Sequence, residues 1–199
     1  MDLRWLSNLR GDEHELIEVQ AAVPGVHVSL RYTTSRNGAR RALYPRDARC
    51  LLRRPVAMRL ARAQEALQRQ GLSLLIWDAY RPLSAQKALW QAVPNRNWVA
   101  PPNRGGMHNR GAAVDTTLCR SDGTELKMPT DFDDFTTRAY PNSLEAEGEA
   151  LRNRHTLAAA MKSAGFVQAK TEWWHFSAPE GGNYPLLDVP LTQRSPRSP

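Results

Sequence analysis

Cysteine is scarce in this chain. The two present, Cys50 and Cys119, could close one bridge at most, so a disulfide framework is excluded, and they lack the spacing of a zinc-binding pair. Each reads as a small apolar filler. Long apolar runs are missing too: nothing approaches the ~20 residues of a membrane span. The opening Met1-Asp2-Leu3-Arg4-Trp5-Leu6 has no apolar core of the kind a secretory signal carries. The expectation is a soluble chain, cytoplasmic if complete and periplasmic if it is a processed form. Internal repeats, long low-complexity tracts and glycine-rich phosphate loops are also absent, which argues against repeat arrays, disordered linkers and the common nucleotide-binding folds.

What is present is enough for one core. The chain has 199 residues, of which 41% are hydrophobic, and that supports a single domain over residues 1–187 followed by a flexible C-terminal tail over 188–199. Basic residues outnumber acidic ones by 27 to 20, giving a net charge of +7 and raising the question of nucleic acid. The arginines are scattered, with only the short pairs Arg40-Arg41 and Arg53-Arg54. A generic basic surface accounts for them, and no nucleic-acid or membrane partner is expected.

Hydrophobic periodicity places the elements. Val56, Leu60, Ala63 and Leu67 fall on one face of a helix that starts after Pro55 and ends at Gly71. Leu72 to Trp77 reads as a buried strand delivering Asp78-Ala79-Tyr80-Arg81-Pro82 to its end. A second helix follows, with Ser84 as its cap, to about Ala92. Pro94 to Gly106 is expected to be an irregular surface loop, Ala113 to Leu118 a strand with Asp115 and Thr117 on one face, and Asp131 to Phe135 a loop near the site. A longer helix from about Ser143 carries Leu157, Met161 and Ala164 and stops at Gly165. Phe166-Val167 and a strand from Glu172 to Phe176 then suggest a hairpin. The mixture lacks regular βαβ alternation, so the fold class is α+β, with helices packed on a small, mainly antiparallel sheet.

The chemistry concentrates in two segments. His108 and Asp115 are seven apart with Gly111 between them, which lets the chain turn and bring an imidazole beside a carboxylate. His175 lies three residues after Glu172. On a regular strand that odd offset sends the two to opposite faces, so a bend or bulge is expected at Trp173-Trp174. Two imidazoles and a carboxylate can hold a zinc ion and leave one position to water, whose proton a nearby Glu that is not a ligand can take. Arg81, backed by Asp78, offers a permanent charge for an oxyanion. His14, His27 and His155 fall outside these segments and read as ordinary polar residues.

Together, Asp78-Ala79-Tyr80-Arg81-Pro82, the His108-to-Asp115 segment, Glu172-Trp173-Trp174-His175 and the early Leu30-Arg31-Tyr32-Thr33-Thr34 resemble, in order, the zinc D-alanyl-D-alanine dipeptidases of the VanX type. The resemblance spans about residues 28 to 177. It implies one zinc ion held by His108, Asp115 and His175, Glu172 as general base and acid, and Arg81 stabilising the transition state. It also implies Asp133 as the partner of the substrate ammonium, with Tyr32 a further substrate contact, and a small dipeptide as substrate. Two departures bear on substrate rather than metal: Gly106 stands where the family usually has Ser, and Met128-Pro129 where it usually has Met-Gly. A D,D-carboxypeptidase or endopeptidase acting on peptidoglycan stem peptides, and a non-catalytic zinc-binding protein on the same scaffold, remain alternatives at this level.

Overall fold

The computed structural model describes residue 12 and residues 14–192. The chain runs β1 (Leu16–Glu18), α1 (Val19–Ala22), β2 (His27–Val28), β3 (Leu51–Arg53), α2 (Arg54–Gln68), β4 (Leu72–Asp78), α3 (Leu83–Ala92), β5 (Ala113–Arg120), α4 (Gly148–Ser163), β6 (Val167–Gln168) and β7 (His175–Ser177). The main sheet has the order β2-β4-β5-β7-β6, antiparallel except for the β2–β4 pair; β1 and β3 form a separate antiparallel ribbon. This is the expected α+β arrangement of helices on a mainly antiparallel sheet. No helix among the described residues is long and apolar enough to cross a membrane.

Local sequence explains most boundaries. Pro55 sits in the first turn of α2, where its fixed φ suits the helix, and Val56, Leu60, Ala63 and Leu67 are all fully buried on one side. β4 and β5 are buried on both faces along nearly their whole length, as a central pair covered on both sides must be. Two helix starts differ from expectation. Ser84 does not cap α3; Pro82 precedes the helix, and the backbone N–H of Ser84 is taken by Asp188 Oδ1 at 2.8 Å, a carboxylate from far along the chain. α4 begins at Gly148 rather than near Ser143, because its buried face, formed by Ala150, Arg154, Leu157 and Met161, begins only there.

The strand expected from Glu172 begins at His175 instead, and residues 173 and 174 form the anticipated bend. The bend has a physical cause. Both indoles turn into an aromatic group in which Trp173 meets Trp77 at 5.6 Å and Trp174 at 5.4 Å between ring centroids, and Phe132 meets Trp77 at 5.6 Å. Trp173 Nε1 also donates to Thr130 Oγ1 at 2.9 Å. Trp173 is fully buried, so Trp173→Ala is expected to lower unfolding stability by about 3–5 kcal/mol through the cavity it leaves. A urea melt of the two proteins checks this.

Packing continues past residue 187. Val189 N donates to the Tyr80 hydroxyl at 2.7 Å, Leu191 O accepts from Arg49 N at 3.1 Å, and Leu191 is buried. Residues 188–192 are therefore held against the domain. The remainder of the expected tail, 193–199, and the opening residues 1–6 lie outside the described residues.

Candidate active site

Register brings the chemistry together. Asp78 at the end of β4 pairs with Asp115 on β5, and Asp115 pairs with His175 at the start of β7, so three polar residues lie side by side on neighbouring central strands. The β4–β5 register shifts between Ile76 and Asp78, a bulge at Trp77 that sets Asp78 opposite Asp115. His108 arrives from the short turn His108–Arg110 ahead of β5. Gly111 closes that turn with φ +69°, and a Cβ there would stand 2.6 Å from Leu16 Cδ2, so both the conformation and the space require glycine.

The side chains converge as the sequence indicated. His108 Nε2 lies 3.2 Å from Asp115 Oδ2 and 3.0 Å from His175 Nδ1, which is 2.9 Å from Asp115 Oδ1. One ligand atom from each of the three lies within 4.8 Å of the others. The outward nitrogens fix which atom faces inward. His108 Nδ1 is 2.6 Å from the Ala79 carbonyl, to which it can only donate, leaving the Nε2 lone pair toward the cluster; His175 Nε2 lies 3.1 Å from Ser177 Oγ. Lone pairs aimed at one another across such distances repel unless a proton or cation lies between them. The group therefore suits a divalent ion of the kind that two imidazoles and a carboxylate bind.

The electrostatics point the same way. Burial alone would push the Asp115 carboxyl up, yet His108 and His175 hold it well below the ordinary range. Burial would lower His108, yet Asp115 raises it. Positive charge is favoured where the three meet.

Around this centre stand the other expected residues. Glu172 Oε2 is 4.0 Å from His175 Nδ1, beside the group of three rather than within it, and burial pushes its carboxyl up to about 8. Arg81 Nη2 is 3.7 Å from Asp115 Oδ2, and its Nε and Nη2 both donate to Asp78 Oδ2, at 3.0 and 2.7 Å. Asp133 adopts φ +55°, a conformation that Asp tolerates better than most residues, and its Oδ2 accepts from Gly38 N at 2.8 Å and from the Tyr32 hydroxyl at 3.1 Å. Burial pushes the Asp133 carboxyl up to about 7. The Tyr32 ring lies beneath the Arg81 guanidinium, 4.7 Å from its carbon. Glu172, Arg81, Asp133 and Tyr32 join the three clustered residues in lining one cavity of about 200 Å³, closed on its apolar side by Leu89, Trp98, Val99 and Phe135. Part of the loop expected on the surface between Pro94 and Gly106 thus forms a wall.

The family model described as D-ala-D-ala dipeptidase, peptidase family M15, matches residues 12–193. The chain belongs to this family. Relatives named D-alanyl-D-alanine dipeptidase include one from Escherichia coli (strain K12), 39% identical over 176 residues, which span 88% of this chain and 91% of the relative. Another, from Enterococcus faecium, is 33% identical over 140 residues, spanning 61% of this chain and 69% of the relative. A third, from Enterococcus faecalis, is 32% identical over 154 residues, spanning 68% and 72%. Membership in this dipeptidase family makes the chain an enzyme of a metallopeptidase type, in keeping with the His108, Asp115 and His175 cluster.

Sequence reasoning missed three supporting residues of this family member. Ser177, two residues after His175, had a signal, since an i+2 offset on a strand shares a face. Gln86, whose Oε1 accepts from Arg81 Nη1 at 3.0 Å and whose Nε2 donates to Ala100 O at 2.7 Å, lies one turn into α3. Tyr44, whose hydroxyl donates to Asp78 Oδ1 at 2.7 Å, comes from an irregular segment with no periodicity to mark it.

Proposed function

We propose that this chain hydrolyses the peptide bond of D-Ala-D-Ala and similar dipeptides with a free N-terminus. In this reading His108, Asp115 and His175 hold one zinc ion, Glu172 is the general base and acid, Arg81 stabilises the transition state, and Asp133, supported by Tyr32, receives the substrate ammonium. The observation that carries it is the convergence of three potential ligand atoms with a fourth residue, the Glu172 carboxylate, beside the group and not part of it. Zinc, when bound, supplies Lewis acidity and makes water acidic enough to lose a proton near neutral pH.

The protein's own groups then have defined tasks. Glu172 Oε2 accepts a proton from the attacking water and later returns it to the leaving amine, which fits a carboxyl whose affinity for protons burial has raised toward the working pH. Arg81, locked on Asp78, faces the cavity with a fixed positive charge for the oxyanion. An ammonium taken into the cavity without a partner would be costly to desolvate, so a carboxylate at Asp133 favours substrates with a free amino group. The cavity, about 200 Å³, falls below the roughly 300–1,000 Å³ of sites for drug-sized ligands. That supports a dipeptide over a stem peptide.

Incubation of the purified protein with D-Ala-D-Ala, L-Ala-L-Ala and an N-acetylated D,D-dipeptide tests the assignment, with rapid cleavage expected for the first and none for the third. Equal cleavage of the acetylated compound would remove the dipeptidase reading. The pH dependence is a second signature. The ammonium needs Asp133 ionised, and in the folded protein this carboxyl titrates at about 7. KM for D-Ala-D-Ala should therefore rise about tenfold per pH unit below that point. Asp133→Asn should raise KM throughout and abolish the slope; an unchanged slope would assign it to another group.

A further inference from the structure

The Arg81 guanidinium is paired with Asp78 end-on rather than side-on: its Nε and Nη2 both reach the single oxygen Oδ2. A free carboxylate beside a guanidinium would gain by turning to meet it with both oxygens. What prevents this turn is visible at the other oxygen. Tyr44 donates to Asp78 Oδ1 at 2.7 Å, with tyrosine and aspartate both buried.

Tyr44 also touches the surface on which the guanidinium rests. Its ring meets the Tyr32 ring edge-on at 5.4 Å, and the Tyr32 ring lies beneath the Arg81 guanidinium, 4.7 Å from its carbon. The backbone fixes this relation, because the N–H groups of Leu43 and Tyr44 both donate to the Tyr32 carbonyl, at 2.8 and 2.9 Å. One residue thus holds the carboxylate beside Arg81 and the aromatic ring below it. We propose that Tyr44 is a positioning residue for catalysis, which sets the rotation of the Asp78 carboxylate and thereby keeps the Arg81 guanidinium directed at the reacting carbonyl. This rests on the role of Arg81 proposed above. Gln86 completes the clamp by accepting from Nη1, leaving the remaining N–H groups of the guanidinium for substrate.

The consequence is kinetic. A charge displaced by a fraction of an ångström still attracts substrate but stabilises the transition state less well, so the loss falls on kcat. Tyr44→Phe retains the ring and removes only the hydroxyl, and it should lower kcat about tenfold while KM stays within about twofold. Arg81→Ala alone should lower kcat by about a hundredfold or more. In the Arg81→Ala background, adding Tyr44→Phe should cost nothing further, because the group it positions is gone.

The experiment is this cycle, run on metal-loaded full-length protein with metal content and far-UV circular dichroism measured for every variant. Loss on Tyr44→Phe that disappears without Arg81 supports the proposal. Loss of the same size in both backgrounds, loss confined to KM, or no loss at all overturns it. If Arg81→Ala itself leaves kcat unchanged, the role of Arg81 fails first and takes this proposal with it, an outcome distinct from the others. Should Tyr44→Phe fold poorly, Tyr44→Met, which also lacks the hydroxyl and fills the space with a flexible apolar side chain, is put through the same cycle, with the same outcomes deciding.

Discussion

Glu172→Gln is expected to abolish nearly all turnover, by about 10²–10⁴-fold in kcat, while the protein binds its metal as before. The substitution preserves shape and removes only the capacity to take a proton. Metal binding should survive because the ligand atoms that converge are those of His108, Asp115 and His175, and Glu172 is not one of the group. The environment fits the task. Burial drives the carboxyl up to about 8, and a cation on the neighbouring imidazoles would draw it back down, leaving a base that both takes and returns a proton near neutral pH. Steady-state kinetics and metal analysis on the same preparation decide the matter. If metal is lost together with activity, Glu172 is a ligand; if activity stays within a few-fold, the proton passes through another group.

How much of this was legible beforehand depends on how local each signal is. The glycine between His108 and Asp115, the alternation that puts Asp115 on one face of β5, and the odd offset between Glu172 and His175 all act over a few residues, and the structure has the turn, the strand and the bend they imply. The placing of Asp78 opposite Asp115, and so beside the Asp115–His175 pair, could not be read, because it depends on a bulge at Trp77. Nothing in the apolar stretch Leu74-Leu75-Ile76-Trp77 announces a bulge. The same holds for the cap of α3, where Ser84 had the right residue type but Asp188, more than a hundred positions later, makes the contact. The support of Asp133 is equally non-local. Gly38 N donates to its carboxylate, and a Cβ on Gly38 would stand 2.4 Å from the Phe135 ring, a constraint visible only once the two loops meet.

Removing the metal, or one of its ligands, should have the second large effect, and it should reach stability as well as catalysis. Chelation of the native protein should abolish activity and lower Tm, with both restored by added zinc. The reason lies in the arrangement of His108 Nε2, His175 Nδ1 and Asp115, which sit about 3 Å apart with their donor atoms turned toward one another. Without a cation, that group must hold a proton or move apart; with one, binding favours the folded state. An ion present at a thousand times its dissociation constant adds about 4 kcal/mol, and for a chain of this size each kcal/mol moves Tm by about 2–4 °C. Asp115→Ala should therefore lose both turnover and the zinc-dependent rise in Tm, whereas Glu172→Gln should lose turnover and keep the rise. The contrast separates a residue that holds the ion from one that works beside it. A zinc-dependent rise in Asp115→Ala equal to that of the native protein would mean that the ion binds elsewhere.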